Sequence, residues 1–179
     1  MGELLLIAGT GKNSGKTTMA CAVIRNLSKH QHVVGVKVTP HYHENYNFRR
    51  KLVDRNDLVI AEESQIDTGK DSSRMLKAGA LQVYFVMAKD EQLIEAMQFI
   101  AAMNIQCLPV ICESGGVIHY FKPGLFLVMT RADETDIKPE YDYLLTSAHH
   151  LISFDGNVPD FDTETITYSD KKWKIEPKN

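Results

Sequence analysis

Short apolar runs alternate along this chain with segments whose apolar residues recur at the spacing of a helix. The apolar runs predict strands over residues 4–8, 33–38, 83–88, 105–112, 125–130 and 151–154. Helical spacing predicts helices that begin at Lys16 and at Glu91. Strands that alternate with helices are typical of an α/β protein with a mostly parallel central sheet.

A third, shorter helix is predicted over residues 71–78. Asp71 or Ser72 is expected to cap its start, and Gly79 is expected to end it. Residues 39–69 are polar and carry no periodicity beyond a helix or a strand near 52–61. From about residue 155 the chain is rich in Asp, Thr and Lys, which predicts a peripheral appendage on a single domain spanning residues 1–179.

Composition narrows the class of protein. A chain of 179 residues, 44% of them apolar, can bury one substantial core. Its formal net charge of -3 and its lack of a Lys or Arg run argue against a general nucleic-acid binder. The apolar run over residues 4–8 is too short for a signal peptide or a membrane span, so we expect a soluble cytoplasmic protein without a membrane partner. The three cysteines do not form a CxxC motif and are predicted to be buried free thiols; they are Cys21, Cys107 and Cys112.

The segment over residues 9–18 reads GTGKNSGKTT and lies between the first predicted strand and the first predicted helix. This placement and composition indicate a Walker A loop, in which backbone N–H groups and the start of a helix bind phosphate. Gly15 would allow close approach of the backbone, Lys16 would reach the β- and γ-phosphate oxygens, and the Thr17 hydroxyl would ligate Mg²⁺. The residues predicted to bind the nucleotide here are Gly9, Gly11, Lys12, Asn13, Ser14, Gly15, Lys16, Thr17 and Thr18.

The loop and the order of elements together predict a P-loop NTPase with three α/β/α layers and a mostly parallel sheet. The strict motif has a glycine where this chain has Thr10, so the match is a variant. The alternative is a glycine-rich turn between strand and helix whose lysine is only solvated.

A carboxylate at the end of a neighbouring strand would complete a magnesium site. Glu113 ends an apolar run and precedes Ser-Gly-Gly, so it would face the same crevice as the loop and either ligate Mg²⁺ or orient water. Glu62 and Glu63 are weaker candidates for this acid.

Other polar residues also follow predicted strands. Lys37 ends an apolar run and either contacts an anionic ligand or is solvated. His41 and His43 are interpreted as metal ligands, as substrate contacts or as solvated loop residues.

Thr130, Arg131 and Asp133 follow the strand over residues 125–130. GTP-binding proteins often carry [NT]-K-x-D at this place, where the aspartate accepts hydrogen bonds from guanine. Arg131 replaces the lysine, and although a guanidinium can stack over a base it is not equivalent to an ammonium. These three residues are the candidates for contacting the base.

Three blocks of the sequence resemble the molybdopterin-guanine dinucleotide biosynthesis protein B family. They are the loop over residues 11–18, Lys37 with the histidine-containing segment behind it, and GKDSSRMLKAGA over residues 69–80. The resemblance implies a GTPase-like protein, usually a homodimer, that binds GTP with Mg²⁺. It also implies a partner, the enzyme that attaches GMP to the molybdenum cofactor. Carried over by motif, Asp71 and Ser72 would lie near the γ-phosphate, and Glu113 would be the strand-end acid.

The sequence also departs from that family. ESGG over residues 113–116 is closer to the turn of dethiobiotin synthetases, whose phosphate loop fits residues 9–17 as well. Three hypotheses follow: a GTP-binding protein with slow hydrolysis, an ATP-dependent small-molecule synthetase or kinase, and a nucleotide sensor without hydrolysis. The candidate catalytic residues are Lys16, Thr17, Asp71 and Glu113.

Overall fold

The structure of the chain is a computed structural model that describes residues 4–41, 48, 50–89, 91–103, 107–135 and 137–177. His43, one of the two candidate ligand histidines, lies outside the described residues. The elements of the described part are β1 Leu4–Gly9, α1 Lys16–Leu27, β2 Val34–Thr39, β3 Arg50–Arg55, β4 Leu58–Glu62, α2 Asp71–Lys77, β5 Gln82–Ala88, α3 Glu91–Ala101, β6 Val110–Glu113, β7 Leu125–Arg131, α4 Asp142–Ser147, β8 His150–Phe154, β9 Ile166–Ser169 and β10 Lys172–Ile175.

Eight of these strands form one sheet in the order β3-β4-β5-β2-β6-β1-β7-β8. In the part of the sheet with the order β5-β2-β6-β1-β7-β8, all neighbouring strands pair in parallel. Strand β4 pairs antiparallel with both β3 and β5. The predicted α/β class with a mostly parallel sheet is therefore confirmed. Because seven of the eight strands run the same way and only β4 runs opposite, their carboxyl ends meet at one edge of the sheet, where ligands of open α/β sheets usually bind.

Helices cover both faces of this sheet, an arrangement compatible with a three-layer α/β fold. Side chains alternate along β1, so Leu4 and Leu6 belong to the core under α3 and α4, whereas Leu5 and Ile7 belong to the core under α1 and α2. Burial on both faces explains why the central strands are continuous apolar runs. The edge strand β3 instead carries charged, exposed residues, which protect an edge from pairing with another chain.

Several local predictions were wrong. Near residues 52–61, where a helix or a strand was expected, the strand alternative is confirmed, but the chain forms two strands, the hairpin of β3 and β4. Strand β6 begins at Val110, so the described residues 107–109 of the predicted strand lie outside it. The N-cap residue of α2 is Lys70, whose side chain makes no capping hydrogen bond. Asp71 is not the cap because it is already the first helical residue and its carboxylate binds Lys37. Gly79, at φ 111°, ends the helix as predicted.

The thiols were predicted correctly at two of three positions. Cys21 and Cys112 are buried, but Cys107 is exposed because it precedes β6 in a turn. Burial raises the pKa of the Cys21 thiol to about 11, which leaves it a thiol at neutral pH.

The C-terminal segment packs against the core on the side of α1. Ile166, Tyr168 and Trp173 of the β9–β10 hairpin are buried in the same cluster as the apolar face of that helix. Asn26 of α1 also donates a hydrogen bond to Thr163 Oγ1 at 2.7 Å. In the described part of the chain, no helix has the length and apolar content needed to cross a bilayer.

Candidate functional site

The glycine-rich loop between β1 and α1 contains two residues in the left-handed backbone region. Within residues 9–16, all of them described, only Asn13 and Gly15 have positive φ, 60° and 85°. Alternation of left-handed and right-handed residues makes successive N–H groups converge, which produces a concavity that binds anions. Helix α1 begins directly after Gly15, so the positive end of a 12-residue helix points at the same place.

Gly15 is required by the fold of this loop. Its φ of 85° is strained for residues with a side chain, and a Cβ there would lie 2.5 Å from the ring of Phe154. Phe154 ends β8 and is buried, so the loop rests on an aromatic ring that belongs to a distant part of the chain. The sequence indicated the glycine but gave no sign of this support.

The side chain of Lys16 folds back over the loop. Its Nζ donates hydrogen bonds to the carbonyl oxygen of Gly11 and, at 3.1 Å, to Ser14 Oγ. Burial lowers the pKa of Lys16, and the nearby Glu113 carboxylate offsets this only in part. The ammonium is thus held at the mouth of the loop.

Strand register brings a second lysine and an acid to the same face. Lys37 of β2 and Glu113 of β6 are directly paired, and Ile7 of β1 pairs with Glu113 on its other side. Partners in a parallel pair project to the same face, and here that face is the one covered by α1 and α2. Lys37 Nζ lies 2.5 Å from Glu113 Oε1, so Lys37 is an ion-paired residue and not a solvated one.

The two helices on this face complete the cluster. Thr17, in the first turn of α1, donates its hydroxyl to Glu113 Oε2 at 2.8 Å. Asp71, the first residue of α2, lies 2.7 Å from Lys37 Nζ through its Oδ2. Thr17, Lys37, Asp71 and Glu113 therefore form one connected network, called here the charged cluster, next to Lys16.

Burial and charge act against each other in the charged cluster. Burial lowers the pKa of Lys37, but the Glu113 and Asp71 carboxylates outweigh it and hold that pKa above its ordinary value. Burial likewise raises the pKa of Asp71, but Lys37 outweighs it and the resulting pKa is lowered. Both residues are consequently charged at neutral pH.

The oxygen atoms of the charged cluster suit a hard divalent cation. Thr17 and Glu113 supply a hydroxyl and a carboxylate 2.8 Å apart, and Mg²⁺ takes oxygen ligands of this kind, usually few from the protein. In the described residues, no group of three or more His, Cys, Asp and Glu is placed to hold a metal by itself. A metal here would therefore depend on oxygens of a ligand and of water. His41 is exposed and belongs to no such group within that part of the chain.

A pocket of about 450 Å³ opens beside the loop on the side of β7. There the guanidinium of Arg131 binds the carboxylate of Asp133 through two hydrogen bonds, one of them 2.8 Å from Nε to Oδ1. Thr130 does not line the pocket, and its hydroxyl faces the Ile152 carbonyl at 3.5 Å. The lining residues are Thr10, Gly11, Lys12, Arg131, Asp133, Glu134, Lys138 and Tyr141.

The sequence analysis missed the role of Glu63. This buried carboxylate accepts a hydrogen bond from Ser72 Oγ at 2.6 Å and from the N–H groups of Ser64 and Gln65 at 3.0 and 2.9 Å. Through Ser72, the residue next to Asp71, Glu63 joins the first turn of α2 to the end of β4. Glu63 is not a strand-end acid of the charged cluster. A buried Ser and a nearby Glu nine positions apart leave no periodic signal in a sequence.

The sequence analysis also missed Arg74. Its guanidinium donates to Thr18 Oγ1 at 3.3 Å and lies 3.7 Å from Asp71. Helix α2 therefore brings a further cation to the start of α1.

Comparison with known proteins gave no likeness: no family model, no curated protein and no solved structure matches the chain. The features of the chain that bear on its function are therefore the geometry of the loop, the charged cluster and the pocket.

Proposed function

We propose that this chain is a P-loop protein that binds a nucleoside triphosphate with Mg²⁺ and hydrolyses it slowly. The observation that supports it most is the convergence of the loop, Lys16 and the charged cluster at one edge of the sheet. The N–H groups of the loop would hold the phosphate oxygens, and Thr17 and Glu113 would hold Mg²⁺. Bound there, Mg²⁺ would neutralise charge on the phosphates.

Hydrolysis needs a positioned water and stabilisation of negative charge. Water would attack the γ-phosphorus in line, the bond to the bridging oxygen would break, and the nucleoside diphosphate and phosphate would leave. Lys16 would stabilise charge on the phosphoryl oxygens, and Lys37, the cation of the charged cluster, would contribute. Asp71, with two-fifths of its side chain exposed, would orient the water or the metal shell.

We propose GTP as the nucleotide and the molybdenum cofactor guanylyltransferase as the partner of this site, in a homodimeric protein. The support is the sequence resemblance, together with Asp133 at the wall of the pocket. Asp133 already accepts hydrogen bonds from Arg131, so a guanine would share this carboxylate with the guanidinium.

Isothermal titration calorimetry with GTP and with ATP, each with Mg²⁺, tests the proposal. Binding of GTP that needs Mg²⁺ and exceeds binding of ATP is the expected result. If neither GTP nor ATP binds, the proposed function is refuted. Binding without release of phosphate over hours would refute hydrolysis and leave a nucleotide sensor.

One observation favours a second candidate, an ATP-dependent synthetase or kinase. Lys37 is a mostly buried cation outside the loop, and its partner Asp71 is partly exposed, so an acidic substrate could reach the charged cluster from the solvent side of Asp71. A preference for ATP, with turnover only after addition of a carboxylate metabolite, would support this candidate over the GTPase.

A further inference from the structure

A hydrogen bond joins the glycine-rich loop to the turn after β7. Thr10 Oγ1 donates to Glu134 Oε2 at 2.7 Å, across 124 positions of the chain. Thr10 is only 2% exposed, so its hydroxyl has little access to water and depends on this acceptor. This is the residue that stands where the strict motif has a glycine.

The backbone fixes both ends of this contact. The N–H of Thr10 donates to the Met129 carbonyl of β7 at 3.1 Å. The N–H of Glu134 donates to the Arg131 carbonyl at 3.2 Å, which closes the turn that carries the Arg131–Asp133 pair. The first turn of the loop is thereby attached to β7 by its backbone and to the following turn by a side chain.

Thr10 and Glu134 also line the pocket of about 450 Å³ beside the loop. The pocket is also lined by Lys12 and Lys138, by the Arg131–Asp133 pair and by Tyr141. Flat polar surfaces with an aromatic ring suit a heterocyclic base, and the cations suit a sugar attached to phosphate. The chemistry of the wall is that of a nucleoside site next to a phosphate site.

We infer that Glu134 is a positioning residue that acts through Thr10, making the affinity for the triphosphate depend on a nucleoside in the neighbouring pocket. A nucleoside that packs on the turn after β7 restricts that turn, the turn holds Glu134, and Glu134 holds the start of the loop in the shape that binds phosphate. Preorganisation lowers the cost of binding, and coupling between two sites is reciprocal. This inference rests on the proposed function and extends it to communication within the site.

The test compares GTP or ATP with inorganic tripolyphosphate, which carries the phosphates without a nucleoside. Affinities are measured by calorimetry with Mg²⁺ for wild type, Thr10→Val and Glu134→Ala. Each variant is expected to lose about tenfold in nucleotide affinity, the scale of one hydrogen bond to a charged group, and less than about twofold in tripolyphosphate affinity. The double variant is expected to lose no more than either single variant, because the two residues act as one unit.

Conservative variants and a neighbour serve as controls. Thr10→Ser keeps the hydroxyl and Glu134→Gln keeps an acceptor oxygen, so both are expected to retain most of the nucleotide affinity. Glu140→Ala changes an exposed acid of the same loop and is expected to leave both affinities unchanged. Glu134 is exposed enough that its alanine variant remains a valid probe if Thr10→Val does not fold.

Two results would overturn the inference. Equal losses for nucleotide and tripolyphosphate, or additive losses in the double variant, would show that Thr10 and Glu134 act separately or only on the fold. Wild-type protein that binds neither ligand would refute the proposed function and this inference together, whereas equal losses would leave the proposed function intact.

Discussion

Two ion pairs at the same edge of the sheet differ in almost every physical respect. Lys37 and Glu113 lie on adjacent strands with side chains 15% and 2% exposed. Arg131 and Asp133 lie two residues apart, at the end of β7 and in the turn that follows it, with side chains 45% and 69% exposed. The first pair is created by strand register between distant segments. The second is local and could form in any chain with that short sequence.

The difference shows where charge is costly in this molecule. A buried ion such as Glu113 loses its hydration, so its partners Lys37 and Thr17 must replace water. An exposed pair remains hydrated and contributes little to stability. Strongly coupled charges therefore mark the proposed phosphate side of the site, while the proposed base side carries an exposed pair.

The largest effect is expected from Lys37→Met. This change leaves Glu113 buried and Asp71 beside it without their common cation, so it should lower the free energy of unfolding by about 3–5 kcal/mol. Urea denaturation measures it. Arg131→Met is the matched control and should be indistinguishable from wild type. Equal stability of both variants would contradict the contrast between the two pairs.

The same variant has a distinct pH signature. The pKa of Asp71 is lower in the folded state than in the unfolded state, so Asp71 stabilises the fold at pH values above its unfolded-state pKa. This stabilisation is lost as the pH falls through the folded-state pKa. The pKa of Lys37 is higher in the folded state than in the unfolded state, so Lys37 stabilises the fold at pH values below its unfolded-state pKa. This stabilisation is lost as the pH rises through the folded-state pKa. The stability gap between wild type and Lys37→Met should be widest between about pH 4 and pH 10 and should narrow below and above this range.

A smaller effect, on binding, is expected from Lys16→Ala. Loss of the ammonium should weaken triphosphate binding by about 1.5–3 kcal/mol, measured by calorimetry. Stability should not fall, because burial lowers the pKa of Lys16 and the charged form is therefore disfavoured by folding. Unchanged affinity would contradict the assignment of the loop.

Glu63→Ala tests whether the Glu63 carboxylate stabilises the start of α2. Removal of the carboxylate leaves the Ser72 hydroxyl and two backbone N–H groups without their acceptor, which should cost about 1–3 kcal/mol. Glu62→Ala, which removes only an exposed pair with Arg50, is the control and should cost less than about 1 kcal/mol. Thermal or urea unfolding of the two variants should separate them, and equal losses would reject the role of Glu63.

The smallest structural effect is expected from Asp133→Ala. Stability should stay at the wild-type value since the Arg131 pair is solvated. Any preference for GTP over ATP should disappear, as measured by the ratio of the two affinities. A retained preference would show that another residue of the pocket reads the base.

Local patterns were sufficient for much of the fold. Continuous apolar runs identified the central strands β1, β5 and β7, because burial on both faces imposes apolar residues at every position. The sequence pattern did not predict the hairpin of β3 and β4, because its charged outer strand β3 is not a continuous apolar run. Helix α4 and the β9–β10 hairpin were missed because short elements are stabilised by contacts that no local window contains.

The sequence by itself determined the glycine-rich loop, the helix that follows it, and the presence of Lys37 in one strand and of Glu113 at the end of another. Only the tertiary structure decided that Lys37 lies between Glu113 and Asp71, that Phe154 supports Gly15 and that Glu134 binds Thr10. The reason is physical. Backbone conformation depends on neighbours in the chain, whereas the partner of a buried charge depends on which strands and helices become neighbours in space.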